Sequence, residues 1–94
     1  MQTVYKYALE PWGESILKVK KGAKILCAQM QGDQCCIWCE VDSEEINLVK
    51  LEVEVVATGG RVPPKPFSYL NTVQTGPYVF HIYTNLQQPD TGQI

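Results

Sequence analysis

The sequence predicts an all-β domain, a compact antiparallel sandwich or partly open barrel of six to seven short strands around a central hairpin. Two observations carry this. Short runs of alternating or β-branched residues recur along the chain, as in Val49, Leu51, Val53 and Val55 against Lys50, Glu52 and Glu54. Turn residues separate these runs, among them Pro11-Trp12-Gly13, Lys21-Gly22, Gly32-Asp33 and Gly76-Pro77. No internal repeat, βαβ alternation or coiled-coil heptad competes with this reading.

The chain of 94 residues is long enough for one domain, placed at 1–85 with a C-terminal tail over 86–94. Its apolar fraction of 45% suits a folded core, not disorder. A formal net charge of −2 argues against general nucleic-acid binding, which favours basic proteins. No apolar run approaches the roughly 20 residues that span a bilayer, so no membrane partner is expected. The start, MQTVYKYALEPW, lacks the basic-then-apolar order of a signal peptide. The expected compartment is cytoplasmic, where thiols stay reduced.

Taken in order, Thr3 to Tyr7 alternates and reads as a first strand, ended by Pro11-Trp12-Gly13. Ser15 to Val19 reads as a second. Lys18, Lys20, Lys21 and Lys24 form a basic cluster, read first as a solvated edge that resists aggregation and second as a phosphate patch. Lys24 to Val41 is the central hairpin. Gly32 supplies the positive φ that a two-residue turn requires, so Gln31 pairs with Gln34. One face then carries Leu26, Ala28 and Met30 opposite Cys39, Ile37 and Cys35. The other carries Ile25, Cys27 and Gln29 opposite Glu40, Trp38 and Cys36. Asp42 to Glu45 is an acidic loop suited to capping one helical turn. Leu48 to Ala57 is the longest strand, wet on one face and buried on the other. Thr58 to Pro66, with two glycines and three prolines, is the long loop. Phe67 to Leu70 packs back on the core, and Thr72 begins another strand. Tyr78 to Thr84 is the last strand, apolar on both faces and therefore central or interfacial.

The cysteines are read as structural. Cys36 and Cys39 form one C-x-x-C, but a zinc site needs a second pair or histidines at ligand spacing. On a strand, residues three apart point to opposite faces. No metal and no cofactor is expected. Catalysis is also poorly supported. His81 is the single histidine, flanked by Phe80 and Ile82, and reads as a hydrogen-bonded or interface group.

The best candidate ligand site is the Gly59-Gly60-Arg61 corner. Consecutive glycines let backbone N–H groups converge on an anion. The guanidinium of Arg61, the only arginine, offers a bidentate grip or stacks on a base. Lys65 and Lys21 are expected to add charge. The aromatic residues exceed what a small core needs, which points to a homo-oligomer. Trp38, with Ile25 and Cys27, is the first expected contact, joined by Tyr78 and His81.

The ordered set Lys21-Gly22-Ala23-Lys24-Ile25-Leu26, Gln29, Ile37-Trp38, Val41-Asp42, Thr58-Gly59-Gly60, Thr72-Val73 and Val79-Phe80-His81-Ile82-Tyr83 resembles a family of short uncharacterised proteins carried by phages and prophages. The likeness covers about residues 3–84 and departs at the cysteine-rich Cys35–Cys39 strand and the tail. It implies no activity and no site residue. It implies a setting: a small non-enzymatic accessory protein in the cytoplasm of an infected bacterium. In that setting the leading expectation is sequestration of a small anionic, nucleotide-type defence signal. A protein-binding inhibitor of the anti-CRISPR or anti-restriction kind and a minor virion component are the alternatives.

Overall fold

The computed structural model describes residues 1–87. Seven strands follow one another without a helix: β1 (Gln2–Ala8), β2 (Gly13–Lys20), β3 (Lys24–Gln31), β4 (Gln34–Asp42), β5 (Leu48–Ala57), β6 (Ser68–Thr75) and β7 (Tyr78–Gln87). They form two antiparallel sheets, one ordered β1-β4-β3 and the other β2-β5-β7-β6. The all-β expectation holds, and the sandwich stays open instead of closing into a barrel.

Alternation decides which face of each strand is buried. In β5, Val49, Leu51, Val53 and Val55 point inward while Lys50, Glu52 and Glu54 face outward. Val19, Ile37, Val41, Leu51, Val53 and Ile82 are fully buried between the sheets. Cys35 and Cys39 join this core, and Cys36 lies on the other face of β4 with Trp38, as a two-residue period requires. Cys36 is nonetheless only 1% exposed. The Nζ of Lys6 on β1 donates to Oε1 of Gln31 on β3 at 2.6 Å, crossing β4 between the levels of Trp38 and Gln34. Cys36 sits beneath that bridge.

The central hairpin turns at Gly32, whose φ is +64°, and Gln31 pairs with Gln34. The expected register holds back to Cys27 opposite Trp38. There it breaks. A β-bulge between Ile25 and Cys27 brings Ile25 opposite Cys39 and Lys24 opposite Glu40. An extra residue reverses the inward–outward order beyond it. Ile25 therefore packs on the core, and Leu26, expected inside, is 41% exposed.

Three further boundaries differ from expectation. β6 starts at Ser68, four residues before Thr72. β7 runs through Gln87, and Leu86 packs against the core, so strand structure extends two residues into the segment read as tail. The rest of that segment, 88–94, lies outside the described residues. Asp42 to Glu45 forms a turn and no helix: Glu45 N donates to Asp42 O at 3.0 Å, and Glu44 N donates to Asp42 Oδ1 at 3.0 Å. That Asx-type turn satisfies the backbone locally, so a helical turn gains nothing there.

The sheets are clasped along one side by a single side chain. Asn71 sits at the bulge of β6, between Tyr69 and the regular register that resumes at Asn71 opposite Ile82. Its Nδ2 donates to Ala28 O at 2.8 Å, and its Oδ1 accepts from Ala28 N at 2.8 Å. The carboxamide thus presents one donor and one acceptor to β3, as a neighbouring strand's peptide would. On the other side, β1 and β2 are free edges among the described residues.

Candidate functional site

One end of the sandwich is open. Four segments meet there: the Leu9–Trp12 link between β1 and β2, the β3–β4 tip, the end of β5 and the β6–β7 tip. They enclose a cleft of ≈ 830 Å³. Its apolar lining includes Leu9, Met30, Cys35, Val55 and Phe80. Trp12 and Tyr78 stand on the rim, 72% and 63% exposed. Tyr78 stacks on Phe80 with ring centroids 6.3 Å apart and planes 20° from parallel.

The wall formed by the first link is fixed by hydrogen bonds. Leu9 N donates to Cys35 O at 2.9 Å. Gln34 Nε2 donates to Leu9 O at 2.8 Å and to Cys35 O at 3.1 Å. Glu10 N donates to the buried hydroxyl of Ser15 at 2.8 Å. A cleft held this way is largely formed before a ligand arrives, which lowers the ordering cost of binding. Glu10 and Asp33 place carboxylates at the cleft. Burial keeps the Cys35 thiol above its ordinary pKa, and the neighbouring Cys36 pushes the same way.

The Gly59–Arg61 corner lies next door. Ala57 lines both the cleft and a shallower hollow of ≈ 370 Å³ that continues along Thr58, Pro77 and Val79. Gly59 has φ +93°, a conformation open to glycine at little cost. Gly60 N donates to Ala57 O at 2.8 Å, so one of the two glycine N–H groups expected for an anion closes the turn instead. Arg61 and Lys65 are exposed on the loop that follows.

Lys21 does not join them. Lys20 pairs with Leu48 at the start of β5, and Gly13 pairs with Val55 near its end. Strand rise puts the two ends of β5 about 30 Å apart.

The expected contact residues also separate. Trp38 is half-buried on the outer face of the three-stranded sheet, between Lys6 and Cys27 in register. The bulge turns Ile25 away from that face. Tyr78 belongs to the cleft rim. His81 lies on the outer face of the other sheet, where Nδ1 meets Thr72 Oγ1 at 3.0 Å and Nε2 meets Thr58 Oγ1 at 2.9 Å. Tyr69 OH extends the row to Thr72 Oγ1 at 2.6 Å. His81 therefore ties the first residue of the glycine loop to β6 and β7. In sequence Trp12 reads as part of a strand breaker and as one of the aromatic residues a small core does not need, with no place in the ligand site assigned to it by number. A large aromatic left in a turn was the available signal.

Among the described residues, no cluster of three or more His, Cys, Asp or Glu is arranged to hold a metal ion, and no helix is long and apolar enough to cross a membrane.

These features define a small two-sheet β domain with an aromatic-rimmed cleft at one end. The chain matches the model of a domain of unknown function (DUF7352) over residues 1–92 and belongs to that family. No curated protein and no solved structure matches it significantly.

Proposed function

We propose that this protein is a non-enzymatic accessory protein of phage origin that sequesters a small nucleotide-type anion in the host cytoplasm. One observation carries the reading: an aromatic-rimmed, pre-shaped cleft shares Ala57 with the hollow that leads to the loop bearing Arg61. A planar base fits against Trp12 or Tyr78, since stacking on an aromatic ring is worth about 1–3 kcal/mol per base. A phosphate is drawn to Arg61 and Lys65 and turned away from Glu10 and Asp33, so the charges orient the ligand. Lys21 has no part in this site.

Native mass spectrometry of the protein purified from bacterial cells tests the proposal. The expected result is a discrete added mass that is lost on denaturation and reduced by Trp12→Ala and by Arg61→Ala. Protein carrying no added mass, and no binding of any nucleotide offered, would sink it. The free edges of β1 and β2 favour a second reading, inhibition of a host defence protein by strand addition. Capture of a host protein that survives both substitutions supports that reading instead.

A further inference from the structure

The edge of β2, unpaired among the described residues, carries a charge pattern that its own sheet does not satisfy. Glu14, Ile16 and Lys18 share the outer face and are all exposed. In register with β5, Glu14 lies opposite Glu54 and Lys18 opposite Lys50. Like charges directly opposite on neighbouring strands are destabilising. The ion pairs among the described residues are Met1 with Asp42 and Lys50 with Glu52, so neither Glu14 nor Lys18 has one. Between them Ile16 leaves 57% of its surface exposed.

We infer that β2 pairs antiparallel with β2 of a second copy, about a two-fold axis through Ile16. An isologous contact must be self-complementary, and this segment is. With Ile16 opposite Ile16 of the second copy, Glu14 falls opposite Lys18 and Lys18 opposite Glu14. Ser15 falls opposite Leu17, and Gly13 opposite Val19. Each carboxylate then gains a cation on its free side, each ammonium gains a carboxylate, and the two exposed isoleucines cover one another.

The register is specific. A one-residue slip would set outward residues against inward ones. Two-residue slips keep the faces but set Ile16 against Glu14 or against Lys18. Only the pairing centred on Ile16 joins apolar to apolar while matching both charges. Lysines on an edge often block strand pairing. Here an acidic residue stands two positions from the axis on one side and a lysine two positions on the other, and this arrangement rewards antiparallel self-pairing. The two sheets β2-β5-β7-β6 join into one continuous eight-stranded sheet, and Trp12 on the cleft rim, next to Gly13, lies at the margin of the contact.

Sedimentation equilibrium across a concentration series, at low and high salt, tests the inference. The wild-type protein should show twice its chain mass, with dissociation favoured as salt screens the four charges. Glu14→Lys and Lys18→Glu should each give monomers when alone, because each sets like charges across the axis twice. Neither substitution disturbs the monomer, since Glu14→Lys faces Glu54 and Lys18→Glu faces Lys50. Mixing the two variants should restore the double mass, because the mixed pair recreates both opposite-charge contacts. A monomeric wild type, a dimer unchanged by Glu14→Lys, or variants that stay monomeric when mixed would each overturn it.

Discussion

Replacing Asn71 tests the claim that one side chain clasps the sheets. Asn71→Ala removes both partners of Ala28, a residue with no exposed surface. A buried backbone donor or acceptor left without a partner costs about 1–3 kcal/mol. Asn71 is itself half-buried at the seam, where water reaches part of the gap, so the lower end applies to each group. The expected loss is about 2 kcal/mol, a large share of the roughly 5–15 kcal/mol that holds a domain folded. For a chain of this size that lowers the melting midpoint by about 8–16 °C. Urea denaturation followed by circular dichroism, with a thermal scan beside it, measures both. Asn71→Asp sharpens the test. At neutral pH its carboxylate accepts from Ala28 N but has no proton for Ala28 O, so it should rescue at most one of the two bonds. A loss below about 0.5 kcal/mol for Asn71→Ala, the range of an ordinary surface change, would show that the sheets hold without the clasp.

Three further outcomes are expected. Iodoacetamide at neutral pH should modify Cys27 and spare Cys35, Cys36 and Cys39 until the protein is unfolded, giving one added group and then four by intact mass. Stability should fall with rising pH between about 9 and 11, because burial pushes the Cys39 thiol from 9.0 up to about 11 and the unfolded chain gives up that proton first. Burial raises Tyr7 and Cys35 in the same direction, so Cys39→Ala should begin less stable but lose less over that range in urea titrations at several pH values. Gly60→Ala would set a methyl 3.0 Å from Ala57 O and 3.1 Å from Val56 Cγ1; it should cost about 1–3 kcal/mol by overpacking and weaken ligand retention by displacing the Arg61 loop. An unchanged midpoint and unchanged retention would show that the loop yields freely.

The hairpin tip and the alternation of β5 were legible because each rests on local chemistry: a glycine that alone fits the turn, and charges that alone tolerate water. The bulge at Leu26 was not. Ile25, Leu26 and Ala28 are all apolar, so either phase of the alternation reads equally well. The start of β6 was hidden for a related reason, since its own irregularity between Tyr69 and Asn71 breaks the period there. Strand partners such as β1 with β4 and β2 with β5 depend on contacts far apart in the chain, which periodicity does not record. Of the candidate site, the glycine–arginine loop was visible as composition. The cleft was not, because Leu9, Trp12, Met30, Val55 and Phe80 meet only once both sheets exist. Asn71 reads in sequence as an ordinary polar residue, and its role depends on Ala28, 43 positions away.

The strand order also sets a timetable for folding. Among the described residues, β6 pairs as a strand with β7 alone, and β7 is the last strand in order. Until β7 is synthesised and released, β5 is paired on one side only, β6 has no place in a sheet, and Asn71 cannot reach Ala28 from a settled position. Only the three-stranded sheet β1-β4-β3 and the β2–β5 pair can assemble during synthesis. A chain cut before Tyr78 therefore loses two strands and the clasp together, and presents a bare strand edge along β5. The nascent protein is most exposed to aggregation between completion of β5 and completion of β7, and the ten residues of β7 convert it to a closed-seam domain in one step.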